Sequence, residues 1–217
     1  MVAMSNRAEQ ESSSGEATRL KIMDAAESLI IQHGFAATSL RAIANAADVN
    51  LAATHYHFGS KQGLLAAVFH RRMRPVGIAR LGALSELEAG SEPLTVDAIL
   101  KAFFVPFYDA EGSELLTILP GLVARIYAEP ATLTQPILEE EFSEVASRFV
   151  AALLKACPGV PEQEMRWRFH FMVGSMIQFL KFHTPIGVAD RDNEFRVGLD
   201  KLVAFTVAGI EQLGAIE

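Results

Sequence analysis

Apolar residues recur every three to four positions along most of the chain, which is the spacing of an amphipathic helix. In the first such segment they are Ile22, Ala25, Ala26, Leu29 and Ile30, and the glycine at position 34 provides a stop signal. No segment alternates apolar and polar residues as a half-buried strand would, and no internal repeat is visible. The pattern therefore predicts an all-α protein.

Three further segments follow closely. Their expected N-caps are Thr38 or Ser39 for the second helix, Asn50 for the third, and Gly59-Ser60 for the fourth. Pro75 is expected to end or kink the fourth helix, because proline lacks an amide donor and clashes with the preceding turn. Beyond it, the pattern predicts helices near residues 94–109, 113–128, 132–156, 161–183 and 191–213.

Composition divides the chain into three parts. Residues 1–16 are polar and lack periodicity, so they are predicted to be a disordered tail. Residues 17–74 carry seven lysines and arginines against three acidic residues, a net charge of +4, although the whole chain has a net charge of -7. A basic helical domain is thus expected at 17–74, followed by a larger acidic helical domain at 75–217.

Several classes of function lack support in the sequence. The N-terminus has no apolar stretch typical of a secretory signal, and no apolar run of about 18 residues is present, so we expect a cytoplasmic protein with no membrane partner. Cys157 is the only cysteine and precedes a Pro-Gly turn, where a filler role is expected. No nucleophile with a base, phosphate loop or metal-ligand set is apparent. We therefore predict no catalytic residues, no metal and no cofactor.

The stretch L-A-A-T-H-Y-H-F-G-S-K, residues 51–61, places several rings on one short predicted helix. His55 and His57 lie about 200° apart around a helix axis, so they cannot chelate one ion. Core packing accounts for Phe58 and Thr54 but not for the other rings. Insertion into the major groove of DNA accounts for them, because small alanines let the backbone approach while polar rings reach phosphates or base edges.

The surrounding residues 18–69 resemble the N-terminal domain of the TetR family of bacterial transcription regulators. The matching motifs are A-A-x-x-L-I-x-x-x-G-F, T-S-L-R-x-I-A, A-x-V, Y-H-F and S-K-x-x-L-L, in the family's order and spacing. The resemblance implies a three-helix domain with a helix-turn-helix from about Ser39 to His57, whose second helix reads double-stranded DNA. Thr54 and His55 depart from the commonest pattern, so the operator sequence does not follow from other members.

Contacts with DNA are carried over by position. The resemblance implies phosphate or base contacts from Thr38, Ser39 and Arg41, a groove-lining set of Leu51, Ala52, Ala53, His55, Tyr56 and His57, and a phosphate contact from Lys61. Arg41 is the candidate for a bidentate contact to guanine.

Members of this family are dimers whose C-terminal helices bind a small molecule, but those residues do not transfer by position. Here the phenylalanines around Pro106 predict an apolar effector cavity, because a proline inside an apolar helix opens the local packing. The candidate lining residues are Phe103, Phe104, Phe107, Leu122, Arg125, Ile126 and His170. Ordinary core packing is the alternative interpretation of the rings.

The last two predicted helices are apolar around more of their circumference than the surface of a monomer needs, which favours a four-helix interface in a homodimer. The candidate members are Trp167, Phe171, Gly174, Phe179, Val203 and Val207. Packing within the chain is again the alternative.

Together these features predict a one-component repressor that binds a palindromic operator as a dimer and is released by a small apolar effector. The stretch V-N-L-A-A-x-x-Y-H-F-G-S-K also resembles a branch of regulators that respond to fatty acids or acyl-CoA. The alternatives are an activator, or a helix-turn-helix protein that coats DNA without sequence preference. An enzyme with a pocket in the helical body lacks the residues it would need.

Overall fold

The computed structural model describes residues 2–108, 114–182 and 195–212. Within these ranges all regular structure is helical, so the predicted all-α class is confirmed. The helices are α1 Val2–His33, α2 Leu40–Ala46, α3 Leu51–Phe58, α4 Lys61–Ala89, α5 Val96–Tyr108, α6 Glu114–Ala128, α7 Ala131–Ala156, α8 Glu162–Lys181 and α9 Phe195–Gln212. The helix ends predicted at 109, 113, 183, 191 and 213 lie outside the described residues.

The chain divides into two compact units. Unit 1 comprises Met1–Arg72 and Arg125–Ile137, and unit 2 comprises Met73–Ala124 and Leu138–Glu217. The predicted boundary at 74 falls close to the first division. The return of residues 125–137 to the N-terminal unit has no counterpart in the prediction, because it depends on packing between segments far apart in sequence.

In unit 1, helices α1, α2 and α3 pack against one another around an apolar stripe of α1. That stripe consists of Ile22, Met23, Ala26 and Ile30, each exposing at most 2% of its surface. Helix α1 ends where Gly34 adopts a φ of 85°, which only glycine enters without strain, and its amide donates to the Ile30 carbonyl at 2.8 Å.

Two features of the long helices differ from the sequence prediction. The backbone is helical from Val2, where a disordered tail was predicted, and this segment is rich in Ala, Met, Glu and Gln, which favour helices. Pro75 does not end α4, which continues to Ala89. A proline inside a helix costs roughly 3 kcal/mol. Burial of Val76 and Leu84, 2% and 0% exposed, offsets that cost.

Helix α9 packs against α5 and α8 in unit 2. Its inward face carries Leu199, Val203, Thr206 and Ile210 at spacings of three or four residues. At Gly198 a side chain would meet the Phe179 ring, because a Cβ there would lie 2.6 Å from Phe179 Cε2. The glycine therefore permits the close approach of α9 to α8. Every helix in the described part of the chain is too short or too polar to span a lipid bilayer.

Candidate DNA interface and ligand site

Side-chain caps position the two short helices of the predicted helix-turn-helix. The Ser39 hydroxyl accepts from the Ala42 amide at 3.1 Å, and the Asn50 side-chain oxygen accepts from the Ala53 amide at 2.7 Å. Between the helices, Asp48 takes a φ of 53°, a conformation that Asp and Asn tolerate better than other non-glycine residues. Local chemistry thus determines where α2 ends and α3 begins.

Helix α3 presents a polar and aromatic surface on one side and a buried residue on the other. Tyr56 is 86% exposed and Leu51 is 41% exposed, whereas Thr54 is 1% exposed. Ala52 and His55 are also exposed. A large exposed ring next to small residues is unusual for a surface that meets only water, and it suits a helix that enters a groove.

The two histidines of α3 have different surroundings, so they differ in the hydrogen bonds that they can make. His55 Nδ1 lies 3.3 Å from the Gly59 carbonyl oxygen, which can only accept, so a neutral ring with the proton on Nδ1 leaves Nε2 as an outward acceptor. His57 is half-buried and meets the edge of the Tyr56 ring, with centroids 5.2 Å apart. His55 is therefore the better placed of the two to accept a hydrogen bond from a base or its exocyclic amine.

Lys61 begins α4 beside the loop that follows α1. Its ammonium donates to the Ala36 carbonyl at 3.3 Å and lies 4.2 Å from the centre of the Phe35 ring. Burial lowers the pKa of Lys61, and the Glu129 carboxylate acts in the opposite direction. Lys61 thus stays next to the turn, where it can meet a phosphate. Arg41 is exposed and makes no ion pair within the described residues, so its guanidinium is available.

A buried carboxylate lies elsewhere in unit 1. Glu27 is 5% exposed and accepts from Arg72 Nη2 at 2.6 Å and from Arg71 Nη2 at 3.0 Å. Burial alone would raise the Glu27 pKa, but the hydrogen bonds and charges of Arg72 and Arg71 outweigh it, and the net pKa lies below its ordinary value of 4.5. Two of the seven basic residues between 17 and 74 are therefore occupied inside the domain.

An aromatic cluster fills part of unit 2. The Phe103 ring meets the rings of Phe149 and Phe169 edge to face, with centroids 5.1 and 5.4 Å apart. The guanidinium carbon of Arg80 lies 3.7 Å from the centre of the Phe103 ring and 5.5 Å from that of Phe107. Arg80 itself is 2% exposed, so a full cation is held among aromatic side chains.

Helices α8 and α9 of the same unit expose large rings. Trp167, Phe171 and Phe205 are 54%, 59% and 68% exposed. Trp167 stacks on Phe171, with centroids 5.8 Å apart and planes at 26°. An exposed cluster of aromatic residues indicates a surface that another molecule covers.

Little in the described residues supports a catalytic or metal-binding role. No three His, Cys, Asp or Glu side chains there come together as a metal site would require. Burial, followed by the charge of Glu211, raises the pKa of the Cys157 thiol, so little of the reactive thiolate forms at neutral pH.

Comparison with known families decides the class. A family model described as "Bacterial regulatory proteins, tetR family" matches residues 22–68. A second, described as "Tetracyclin repressor-like, C-terminal domain", matches residues 101–209, half of the 217-residue chain. The chain belongs to the TetR family. It is therefore a transcription regulator with a DNA-binding helix-turn-helix domain and not an enzyme, as the sequence predicts.

Solved structures with the same fold are distant in sequence. A transcriptional regulator from Pseudomonas aeruginosa is 18% identical, with a TM-score of 0.66 and 90% of each chain covered. The TetR-family regulator PfmR from Thermus thermophilus is 15% identical, with a TM-score of 0.57, covering 89% of this chain and 99% of its own. SmeT, in a structure solved as its triclosan complex, is 20% identical, with a TM-score of 0.64, covering 93% of this chain and 97% of its own. No curated protein sequence matches significantly.

Within this TetR-family chain, one proposed DNA contact is inconsistent with the structure. Thr38 is 3% exposed, and its hydroxyl lies 2.8 Å from the Gly34 carbonyl, to which it donates. Its side chain therefore holds the turn after α1 and is not available to a phosphate. The other proposed contacts lie on α2, α3 and the start of α4, and they remain predictions.

The residues of the predicted effector set are divided between the two units. Phe103, Phe104, Phe107 and Leu122 are buried in unit 2, whereas Arg125 and Ile126 belong to unit 1. Two of the assignments are wrong. Arg125 donates to the carbonyls of Ile31 and Gln32 at 3.0 and 3.2 Å and so caps the end of α1. His170 is exposed, and its ring meets the edges of Trp167 and Phe171.

The predicted dimer set also needs one correction. Val203 is 3% exposed because it lies on the inward face of α9 with Leu199 and Thr206. Phe179 is half-buried, with its ring centre 5.0 Å from that of Phe195. Trp167, Phe171 and Gly174 are exposed as the prediction requires.

Sequence reasoning missed two residues of these sites. Phe205 lies about 200° around the helix from Val203, so its outward position follows from helical spacing. Arg80 occupies an inward position in the series Met73, Val76, Arg80 and Leu84, all buried. The expected end of α4 at Pro75 hid that periodicity.

Proposed function

We propose that the protein is a one-component repressor that binds a palindromic DNA operator as a homodimer and leaves it when a small apolar effector binds. The observation that carries the proposal is the surface of α3, where Tyr56 is 86% exposed beside small Ala52, on a helix capped by Asn50. An α-helix with such a surface fits the major groove of B-DNA.

Individual DNA contacts follow from this arrangement. The Arg41 guanidinium makes no ion pair with the other described residues, and its donors match the two acceptors of guanine in the major groove. The Ser39 oxygen accepts the capping hydrogen bond of α2, which leaves the hydroxyl proton available to donate to a phosphate. Lys61 supplies positive charge next to the turn. Base reading is thus assigned to Arg41 and α3, and orientation on the backbone to Ser39 and Lys61.

Dimerisation is assigned to the exposed faces of α8 and α9. Trp167, Phe171 and Phe205 would lose their exposed apolar surface to a second copy of the chain, a favourable change of about 25 cal/mol per Å². Gly174, exposed and without a side chain, allows a facing helix to approach. A dimer would place two copies of α3 about one DNA turn, ~34 Å, apart.

The effector acts in this scheme by shifting a population of conformers. A ligand that binds more tightly to an arrangement incompatible with the operator lowers operator affinity, and operator DNA lowers ligand affinity by the same factor. Support for an apolar ligand comes from the buried rings of α5, Phe103, Phe104 and Phe107. SmeT, a structural neighbour, was solved with triclosan bound.

The test is selection of bound fragments from genomic DNA by the purified protein, followed by titration of the best fragment against excess bulk DNA at physiological salt. We expect an inverted repeat, bound about 10³-fold or more tightly than bulk DNA. Equal affinity for both would favour the alternative of a nonspecific DNA-binding protein. A reporter gene placed behind the selected fragment distinguishes a repressor from an activator by the sign of the change when the protein is expressed.

A further inference from the structure

Arg80 is the one buried cation of unit 2 that has no acidic partner among the described residues. Its Nε donates to the Phe103 carbonyl at 2.9 Å, and its Nη2 donates to the Met176 sulfur at 3.2 Å. A guanidinium has five N–H groups, and the others find no acceptor in the described part of the chain. Sulfur is a weak acceptor, so the charge is only partly compensated.

A second buried arginine in the same unit shows the contrasting arrangement. Arg168 is 4% exposed, and it donates to the Glu164 carboxylate at 2.9 Å and to the Ile210 carbonyl at 2.6 Å. The protein thus pairs one buried guanidinium with an acid one helical turn away, as an architectural charge requires. Arg80 has no such partner among the described residues although it is equally buried.

Burial lowers the pKa of Arg80 to about 9, and no charged group among the described residues offsets this effect. The side chain is therefore still charged at neutral pH, where the uncompensated cation is unfavourable. The Phe103 and Phe107 rings supply part of the stabilisation through their electron-rich faces. An anion that entered this cluster would supply the rest.

We propose that the effector is an organic acid with an apolar body, and that its carboxylate pairs with Arg80 while its body contacts the phenylalanines around it. A carboxylate matches the planar guanidinium with two parallel hydrogen bonds. The rings of Phe103, Phe107 and Phe149 disfavour a heavily hydrated or multiply charged headgroup. This assignment rests on the proposed function, since it names the chemical class of the effector in that scheme.

The test measures direct binding to the purified full chain by calorimetry, without DNA. The probes are octanoate and 2-naphthoate, each compared with its primary alcohol, octanol or 2-naphthalenemethanol. We expect each acid to bind about 10- to 100-fold more tightly than its alcohol, because a hydrogen bond to a charged group contributes that much. In Arg80→Met the preference should disappear, while the alcohols bind as they do to the unaltered chain.

Two further variants distinguish the loss of a contact with the acid from a change in folding. Arg80→Lys keeps the charge but loses the planar donor pair, so it should retain a reduced preference for the acids. Arg168→Met removes the paired arginine, and it should lower the melting temperature yet leave the acid-to-alcohol ratio unchanged. Arg80→Met should remain folded by circular dichroism, because replacing an uncompensated buried charge with an apolar side chain of similar size costs little.

An acid that binds no more tightly than its alcohol, including the case in which neither binds, overturns the proposal. So does an acid preference that survives in Arg80→Met. These outcomes remain separate from a failure of the proposed function, because operator binding is measured on its own. Specific operator binding without an acid preference contradicts only the assignment of the effector. Acid binding without any operator preference contradicts the repressor.

Discussion

Units 1 and 2 each bury a charged side chain, and the partners of the two side chains differ. In unit 1 the Glu27 carboxylate receives hydrogen bonds from two arginines, Arg71 and Arg72. In unit 2 the Arg80 guanidinium meets one carbonyl, one sulfur and two aromatic rings. A buried charge whose partners lie within the fold indicates architecture. One whose partner is lacking in the described residues is the basis of the effector site proposed above.

The exposed rings of the two units differ in the same way. Unit 1 exposes Tyr56, a ring with a polar end, next to small alanines and two histidines on a short helix. Unit 2 exposes Trp167, Phe171 and Phe205, of which two have no polar atom in the side chain. A polar ring suits the edges of bases, whereas hydrocarbon rings suit another protein surface. Each exception to ordinary burial therefore points to a different partner.

The largest expected effect comes from making the exposed face of α8 and α9 polar. The double substitution Phe171→Glu with Phe205→Glu should convert the proposed dimer to a monomer and reduce operator affinity by more than about 100-fold, since both half-sites require a linked pair of reading helices. Sedimentation velocity measures the first effect and a gel shift the second. Ile78→Glu, at a residue 62% exposed on α4, is the matched control and should stay dimeric. If the double variant is still dimeric, the dimer interface does not lie on α8 and α9.

Breaking the buried ion pair of unit 1 should have the next largest effect. Glu27→Gln removes the buried carboxylate that pairs with Arg71 and Arg72, although Arg71 keeps its contact with the exposed Asp24, and should lower the free energy of unfolding by about 3 kcal/mol. Urea denaturation measures this loss. Glu88→Gln is the control, because Glu88 also meets two basic residues, Arg148 and Lys155, but at the surface, where such pairs contribute roughly 0 to 1 kcal/mol.

The same variant has a defined pH dependence. Because the folded-state pKa of Glu27 lies below its ordinary value of 4.5, its stabilising effect is complete above that pH and is lost as the pH falls through the folded pKa. The difference in stability between the unaltered chain and Glu27→Gln should therefore shrink in acid. A difference that stays constant from pH 7 to pH 3 would show that the charge of Glu27 is not what stabilises the unit.

Substitutions at the proposed DNA surface should distinguish a residue that reads bases from one that contacts phosphate. Arg41→Ala is expected to cost roughly 1 to 3 kcal/mol of operator binding and to relax the preference at one position. Lys61→Ala should weaken binding to all sequences nearly equally and reduce the dependence of affinity on salt by about one ion. Titration of the selected operator and its single-base variants measures both. Equal losses on every DNA for Arg41→Ala would assign that residue to phosphate.

The smallest effect is expected at His55. His55→Ala should cost about 1 kcal/mol and alter preference at a base pair that presents an amine in the major groove, because Nε2 is the atom left to accept. His57→Ala, at the half-buried ring, should change specificity less. If both variants weaken all sequences alike, the histidines contact only phosphates.

The DNA-binding domain could be predicted in detail because its structure depends on neighbours in the chain. Ser39 and Asn50 cap α2 and α3 through amides three residues ahead, and Gly34 ends α1 through its own backbone freedom. Such interactions are readable from a sequence. The sequence did not predict that Thr38 is buried, because its burial depends on how the turn folds back on α1.

Unit 2 shows the opposite dependence. By itself, the sequence determined the helical class, the approximate helices and the apolar stripes, because periodicity reports which residues share a face. Only the tertiary structure decided that Val203 lies inward and Phe205 outward, that Arg125 caps α1, and that Arg80 is buried among phenylalanines. The reason is that burial and charge pairing depend on residues brought together from distant segments, and the spacing along one helix does not specify its neighbours.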